Sequence, residues 1–157
     1  MKIYFLRHTE AGEAAVDSRR CLTAKGRRDA RRIGRFLRET GVRFDLVFSS
    51  PLVRAVETAE LVRSRLPARA RSKLREVRAL TNGTTEISFS RWLKRLPRSA
   101  TILLVGHEPS LGMHLRRLLG GPPEDRLPVP KGALIRVDTD DLVQGMLRLV
   151  ISPGQIP

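Results

Sequence analysis

Four residues of this sequence are the best equipped for chemistry: Arg7, His8, Arg54 and His107. Arginine presents a planar fork of N–H donors that matches the oxygens of a phosphate, and it stays charged at any ordinary pH. Imidazole is close to neutral at pH 7 and can act as a nucleophile or as a hydrogen-bond donor. Imidazoles and guanidiniums gathered around one point describe a site for a dianion, and phosphate is the obvious fit. The same set argues against a metal. His8 and His107 could ligate a cation, but Arg7 and Arg54 would repel it, and no carboxylate cluster offsets them. Neither a metal nor another cofactor is expected. Taken singly, each residue has a plainer reading: a histidine at a strand end is usually structural, and an arginine on a helix can snorkel to water.

Only the fold can bring these residues together. Residues 1–6 read as a short buried strand that ends at Arg7-His8. A helix opens at Leu22-Thr23. Its apolar positions Ala30, Ile33, Phe36 and Leu37 recur at helical spacing, Arg27, Arg28, Arg31, Arg32 and Arg35 cover its other faces, and Gly41 is a suitable C-cap. Residues 44–48 read as a second strand. Ser50 then suits an N-cap with Pro51 at the first helical position, and Leu52, Ala55, Val56, Ala59, Val62 and Leu66 share one face. Arg54 falls in the first turn of that helix, where free N–H groups favour an anion.

Residues 66–75 read as a surface connection leading to a short strand over 74–77, and Thr81-Asn82-Gly83 reads as a turn. A helix over 86–96 is ended by Pro97, with Trp92 packing it onto the sheet. The clearest buried strand is 101–105, followed by Gly106-His107-Glu108-Pro109 and a helix through Leu119. Gly120-Gly121-Pro122-Pro123 breaks the chain before two last strands, over 133–137 and 146–151. His114, about two turns beyond His107, reads as a surface or packing histidine. Strands alternating with helices predict an α/β sandwich with a largely parallel sheet. Ligands of such sheets sit at the carboxyl ends of the strands. Arg7-His8, Ser49-Ser50 with Arg54, and Gly106-His107 are therefore expected at one edge.

A chain of 157 residues suits a single domain, 1–157, able to remove roughly 70% of its unfolded surface from water. With 41% hydrophobic but only 4% aromatic residues, the core must be built from Leu, Val, Ile and Ala. The formal charge of +14 fits a nucleic-acid binder, an enzyme that steers anionic substrates, or an arginine-rich solvated surface. Nucleic acid is not expected as a partner, because aromatic stacking platforms are scarce and no nucleic-acid motif is present. Cys21 is the single cysteine, so no internal disulfide can form, which suits a reducing compartment. Arg7 and His8 come too early for an apolar signal core, and no stretch is long enough to span a membrane. A soluble, monomeric, cytoplasmic protein with no membrane partner is the expectation.

Leu6-Arg7-His8-Thr9-Glu10-Ala11 resembles the R-H-G signature of the histidine phosphatase superfamily. The run from Ser49-Ser50-Pro51-Leu52-Val53-Arg54 through Ala55-Val56-Glu57-Thr58-Ala59 resembles its S-P-x-x-R-A-x-x-T-A block, and Val105-Gly106-His107-Glu108-Pro109 its G-H-x-P block. Cys21-Leu22-Thr23-Ala24-Lys25-Gly26 and the short length are similar to the SixA-type phosphohistidine phosphatases, with Cys21 where that pattern usually has Pro and Thr9 where the signature has Gly. The resemblance implies a single domain of phosphoglycerate-mutase-like type, a three-layer α/β/α sandwich. It implies that His8 is the nucleophile that carries a phosphohistidine intermediate, and that Arg7, Arg54 and His107 hold and stabilise the phosphoryl group. Arg20, where the SixA-type pattern also carries an arginine, and Thr9, through its hydroxyl, are further phosphate-binding candidates.

The resemblance leaves the general acid unassigned. Many members carry it after the third strand, where Ala79 stands here; Glu76 and Glu86 are the nearby candidates, and Glu10 and Glu108 flank the histidines. An alkoxide leaving group benefits from a positioned acid, whereas a protonated imidazole leaves without one. The implied activity is thus a metal-independent phosphatase acting on a phosphorylated protein histidine, such as that of a histidine-phosphotransfer domain in phosphorelay signalling. The alternatives are a phosphatase for a small phosphorylated molecule on the same site, and a phosphate- or nucleic-acid-binding domain without turnover.

Overall fold

The computed structural model describes residues 1–68, 71–122 and 127–157. Its strands are β1 (Lys2–Arg7), β2 (Leu46–Ser49), β3 (Leu74–Glu76), β4 (Thr101–Gly106), β5 (Leu134–Thr139) and β6 (Gly145–Ile151). Its α-helices are α1 (Ala24–Glu39), α2 (Val53–Arg63), α3 (Glu86–Leu93) and α4 (Ser110–Leu118). The sheet order is β3-β2-β4-β1-β5-β6. The neighbours from β3 to β1 pair parallel, while β5 pairs antiparallel with β1 and β6 antiparallel with β5. The sheet is therefore mixed and mostly parallel.

Successive strand residues face opposite sides, and the core divides accordingly. Ile3, Phe5, Ile102 and Leu104 point to the face covered by Phe89 and Leu93 of α3 and Leu111, Leu115 and Leu118 of α4. Tyr4, Leu6, Leu103 and Val105 point to the face covered by Ala30, Ile33 and Leu37 of α1 and Ala55, Ala59 and Val62 of α2. Helices on both faces make the three-layer α/β/α sandwich, and β1 and β4, covered on both sides, are apolar almost throughout.

The α1 helix starts where Thr23 Oγ1 accepts the Gly26 N–H, and ends before Gly41, whose φ is +70°. Gly34 lets α1 and α2 cross closely: a Cβ there would sit 2.6 Å from the Val62 carbonyl oxygen. The N-cap expected at Ser50 lies instead at Leu52, and α2 begins at Val53. Ser50 cannot serve as a simple cap because its hydroxyl is drawn to His107 Nε2, while still accepting the Leu52 N–H. The α3 helix stops at Leu93, short of the expected Leu96, and the N–H groups of Arg95 and Leu96 close i→i+3 turns ahead of Pro97. Trp92 packs edge-on to Phe48 as expected of a residue seating α3 on the sheet. The connection expected over 66–75 and the break at 120–123 lie partly outside the described residues. Among the described residues, no helix is long and apolar enough to cross a membrane.

Candidate active site

Parallel pairing places the three candidate groups side by side. Arg7 is in register with Gly106, and Ser49 with Val105, so β2, β4 and β1 end together with β4 in the middle. The chain leaves each strand still tethered: the His8 N–H donates to Gly106 O and the Ser50 N–H to Val105 O, both at 3.0 Å. Strands about 4.8 Å apart then carry His8 and His107 to within reach of each other. Their ring centroids are 5.0 Å apart, inclined at 52°.

The His8 ring is fixed by its own neighbour. Its Nδ1 lies 2.7 Å from the Thr9 carbonyl oxygen, which can only accept, so Nδ1 carries the proton. In the neutral ring Nε2 is left with its lone pair, which is the form a nucleophile needs. Burial, reinforced by the charges of Arg54, Arg7 and Lys131, pushes the His8 pKa down to about 4, against a partial offset from the Thr9 bond. His107 is pushed down to about 3, first by burial and then by His8 and Arg54. Both rings are therefore neutral at pH 7, and His107 Nε2 is engaged with the Ser50 hydroxyl.

The arginines are anchored at one end and open at the other. Arg7 donates Nη1 to Val129 O at 2.8 Å. Arg54 donates Nη1 to Asp17 O at 2.8 Å, and its Nη2 lies 3.1 Å from Asp17 Oδ2. Yet among the described residues Arg7 Nε, Arg54 Nε and His107 Nδ1 are buried without a protein partner. A buried donor left unpaired costs about 1–3 kcal/mol, and here such atoms come from three elements that meet at one sheet edge. A tetrahedral oxyanion has the acceptors to satisfy them. Positive charge, unpartnered guanidinium Nε–H donors and a neutral imidazole with a free lone pair can bind a phosphoryl group and attack its phosphorus.

The remaining candidates are placed less centrally. The Thr9 hydroxyl shares a hydrogen bond with Thr58 Oγ1, which also accepts the Thr9 N–H, so Thr9 serves the site through its carbonyl rather than its hydroxyl. Arg20 donates Nε to Gly12 O at 2.7 Å and pairs with Asp17 at 3.2 Å, which joins it to Arg54 through one carboxylate. Glu76 ends the edge strand β3 and is exposed. The Glu86 carboxylate is tied to Arg116 at 2.7 Å, bracing α3 against α4. Leu80, at the end of the turn Arg78–Leu80 that carries Ala79, packs over Gly106, the residue before His107. Glu10 accepts from Thr23 Oγ1, and Glu108 from the Gly112 N–H. Gly26 presses against Glu10, where a Cβ would come within 2.0 Å of the carbonyl oxygen, so the Leu-Thr-x-x-Gly pattern keeps α1 tight behind the His8 loop. His114 is buried in the core, stacked 3.9 Å from Phe89, so it is a packing histidine and not a surface one.

Sequence reasoning missed Asp17, Val129 O and the pairing of Ser50 with His107. Ser50 was signalled by its place before Arg54; Asp17 carried no local pattern.

The histidine phosphatase superfamily (branch 1) model matches residues 3–85, a span that includes Arg7, His8 and Arg54. The chain belongs to the histidine phosphatase superfamily. Its phosphoglycerate-mutase-like fold is that of this superfamily, and members are phosphatases. It is SixA-like in structure: it aligns over 100% of both chains with the protein histidine phosphatase SixA complexed with tungstate, at TM-score 0.89 and 28% identity. A SixA protein from Agrobacterium tumefaciens aligns over 98% of both chains at TM-score 0.81 and 22% identity, which extends the likeness of fold. An uncharacterized protein of Picosynechococcus sp. is 29% identical over 140 residues, covering 86% of this chain and 83% of its own.

Proposed function

We infer that this superfamily member removes phosphate from phosphorylated protein histidines, without a metal, through a phosphohistidine formed on His8. The observation that carries the reading is the His8–Thr9 contact of 2.7 Å, which leaves Nε2 neutral and free. Nε2 attacks phosphorus while Arg7, Arg54 and His107 donate to the phosphoryl oxygens, where transition-state charge spreads. The His8 ring becomes cationic as the N–P bond forms, and its Nδ1–H bond to Thr9 O strengthens accordingly. Water then attacks the phosphohistidine and regenerates the free ring.

The substrate class is supported by two features. The likeness to protein histidine phosphatase SixA covers the whole chain. By resemblance to the superfamily, Ala79 stands where many members carry an acid for an alkoxide, and a protonated imidazole leaves without one. A histidine-phosphotransfer domain of a cytoplasmic phosphorelay, met by a monomer, is the partner that completes the reading.

The test is to incubate the protein with a labelled phosphoryl donor, quench it and map the label. Label on His8 is expected, and label on any other residue overturns the mechanism. Turnover of phosphohistidine well ahead of alkyl phosphates is expected; the reverse preference assigns the site to a small phosphoester instead. Salt-sensitive nucleic-acid binding without turnover would replace both.

A further inference from the structure

A carboxylate is an odd group to find at the mouth of a phosphate site. Asp17 opens a 3-10 turn (Asp17–Arg19) in the loop between β1 and α1. Its carbonyl oxygen accepts from Arg54 Nη1 at 2.8 Å, its Oδ2 lies 3.1 Å from Arg54 Nη2, and its Oδ1 lies 3.2 Å from Arg20 Nη1. The Arg54 side chain is 6% exposed whereas that of Asp17 is 64% exposed, so the carboxylate stands between the buried guanidinium and solvent. A phosphoryl group bound by Arg54 would share that guanidinium with Asp17, which sets the carboxylate close to whatever the phosphoryl group carries.

Hydrogen bonds from Arg20 and then Arg54 hold the Asp17 carboxyl below the usual carboxylate range. It is ionised near neutral pH and has no proton to give to an alkoxide. Its charge also opposes an approaching dianion, a cost that a simple phosphate ester has no means to recover. A phosphorylated imidazole does have the means. Once protonated on its second nitrogen, the ring carries an N–H and a positive charge on the side away from phosphorus.

We propose that Asp17 is a specificity residue that selects phosphorylated imidazole, accepting a hydrogen bond from the second ring N–H of the substrate's phosphohistidine. The inference rests on the phosphohistidine reading of the site and goes beyond it by naming the group that makes the choice. The step balances without an external acid. His8 Nε2 supplies the electron pair of the new N–P bond; the old P–N pair returns to the departing ring, which leaves as neutral imidazole with its remaining N–H on Asp17. Asp17 releases Arg54 Nη2 to a phosphoryl oxygen as it takes up this contact, while the carbonyl of residue 17 keeps Arg54 Nη1 in place.

That backbone contact survives side-chain substitution, so Asp17→Asn and Asp17→Ala remove the charge without freeing Arg54. The measurement is kcat/KM for N-phosphoimidazole and for p-nitrophenyl phosphate near neutral pH, for wild type and both variants. Both variants are expected to lower the ratio of the first to the second about 30-fold, the size of a charge-assisted hydrogen bond. An unchanged ratio overturns the proposal, whether both activities fall together, as for a residue that merely positions Arg54, or neither falls. A wild type that turns over only the aryl ester defeats the phosphohistidine reading and the role of Asp17 with it. A wild type that prefers N-phosphoimidazole, with variants that keep that preference, defeats the role of Asp17 alone.

Discussion

The site edge and the α3–α4 core each bury histidine, and they differ in what surrounds the ring. His8, His107 and His114 are 6%, 2% and 2% exposed. Their pKa values fall to about 4, about 3 and about 4, with burial the first cause in each case. His114 stacks flat on Phe89, 3.9 Å away and 5° from parallel, with both ring nitrogens unpartnered among the described residues. His8 has its Nδ1 on the Thr9 carbonyl and the charges of Arg54 and Arg7 nearby. Burial alone therefore makes a histidine neutral; a fixed tautomer and flanking guanidiniums make it a nucleophile. A depressed pKa marks all three rings and singles out none.

The sharpest contrast is between substitutions of equivalent burial. His8→Asn removes the attacking nitrogen and is expected to lower kcat on the order of 10⁴-fold. His114→Leu, in the core, is expected to leave kcat within about twofold. Steady-state turnover of a phosphohistidine substrate checks both, and comparable losses would erase the distinction between the two regions. Arg54→Ala is expected to cost about 10²–10³-fold in kcat/KM, as for loss of one transition-state donor. The same assay checks it, with thermal unfolding to confirm that the buried position, 5% exposed, tolerates the change.

The contrast also shows what the sequence could reveal. The sheet edge was legible because residues 101–105 form an apolar run that ends at Gly106-His107, and residues 1–6 one that ends at Arg7-His8. A parallel α/β sheet has only one place to put such ends. Helical periodicity found α1 and most of α2, but not the start of α2, because Ser50 answers to His107, 57 residues away. The tie of Glu86 to Arg116 was hidden as well, because Arg116 sits on another helix, 30 residues on. Asp17 left no trace, since its meaning comes from Arg54, which lies 37 residues on in sequence. What was hidden in each case was a tertiary partner, not a local preference.

The two regions should part company again in acid. The neutral form of His8 is the reactive one, so activity falls as pH drops through its pKa. An unperturbed imidazole would already be about 97% protonated at pH 5. With the His8 pKa at about 4, most of the free enzyme keeps its nucleophile at that pH, a difference of about 30-fold in active fraction. The acid limb of kcat/KM is therefore expected near pH 4 rather than 6.5. Because His8 and His107 interact, the limb belongs to the pair. A limb at pH 6.5 would mean that the arginine-lined edge does not desolvate His8.

His114 contributes to stability, not to rate, and its acid response has the opposite use. Its pKa falls from 6.5 in the unfolded chain to about 4 in the folded one. Between those values the unfolded state binds the extra proton, so unfolding free energy rises with pH in this window and is lost as pH falls from 6.5 toward 4. The full shift corresponds to about 3 kcal/mol, and the slope to at most about 1.4 kcal/mol per pH unit. His8 and His107 add to the same slope, so the wild type should be markedly acid-sensitive. His114→Leu removes one of these protons along with a pair of unpartnered buried nitrogens. Denaturant unfolding should show the variant within about 1 kcal/mol of wild type at pH 7, because the lost ring stacking offsets the relief of those nitrogens. At pH 4.5 the variant should be the more stable by about 2 kcal/mol. Parallel stability curves for the two proteins would mean that His114 finds a proton-stabilising partner in the folded core, and that the Phe89 stack is not the dry apolar site that separates it from the catalytic edge.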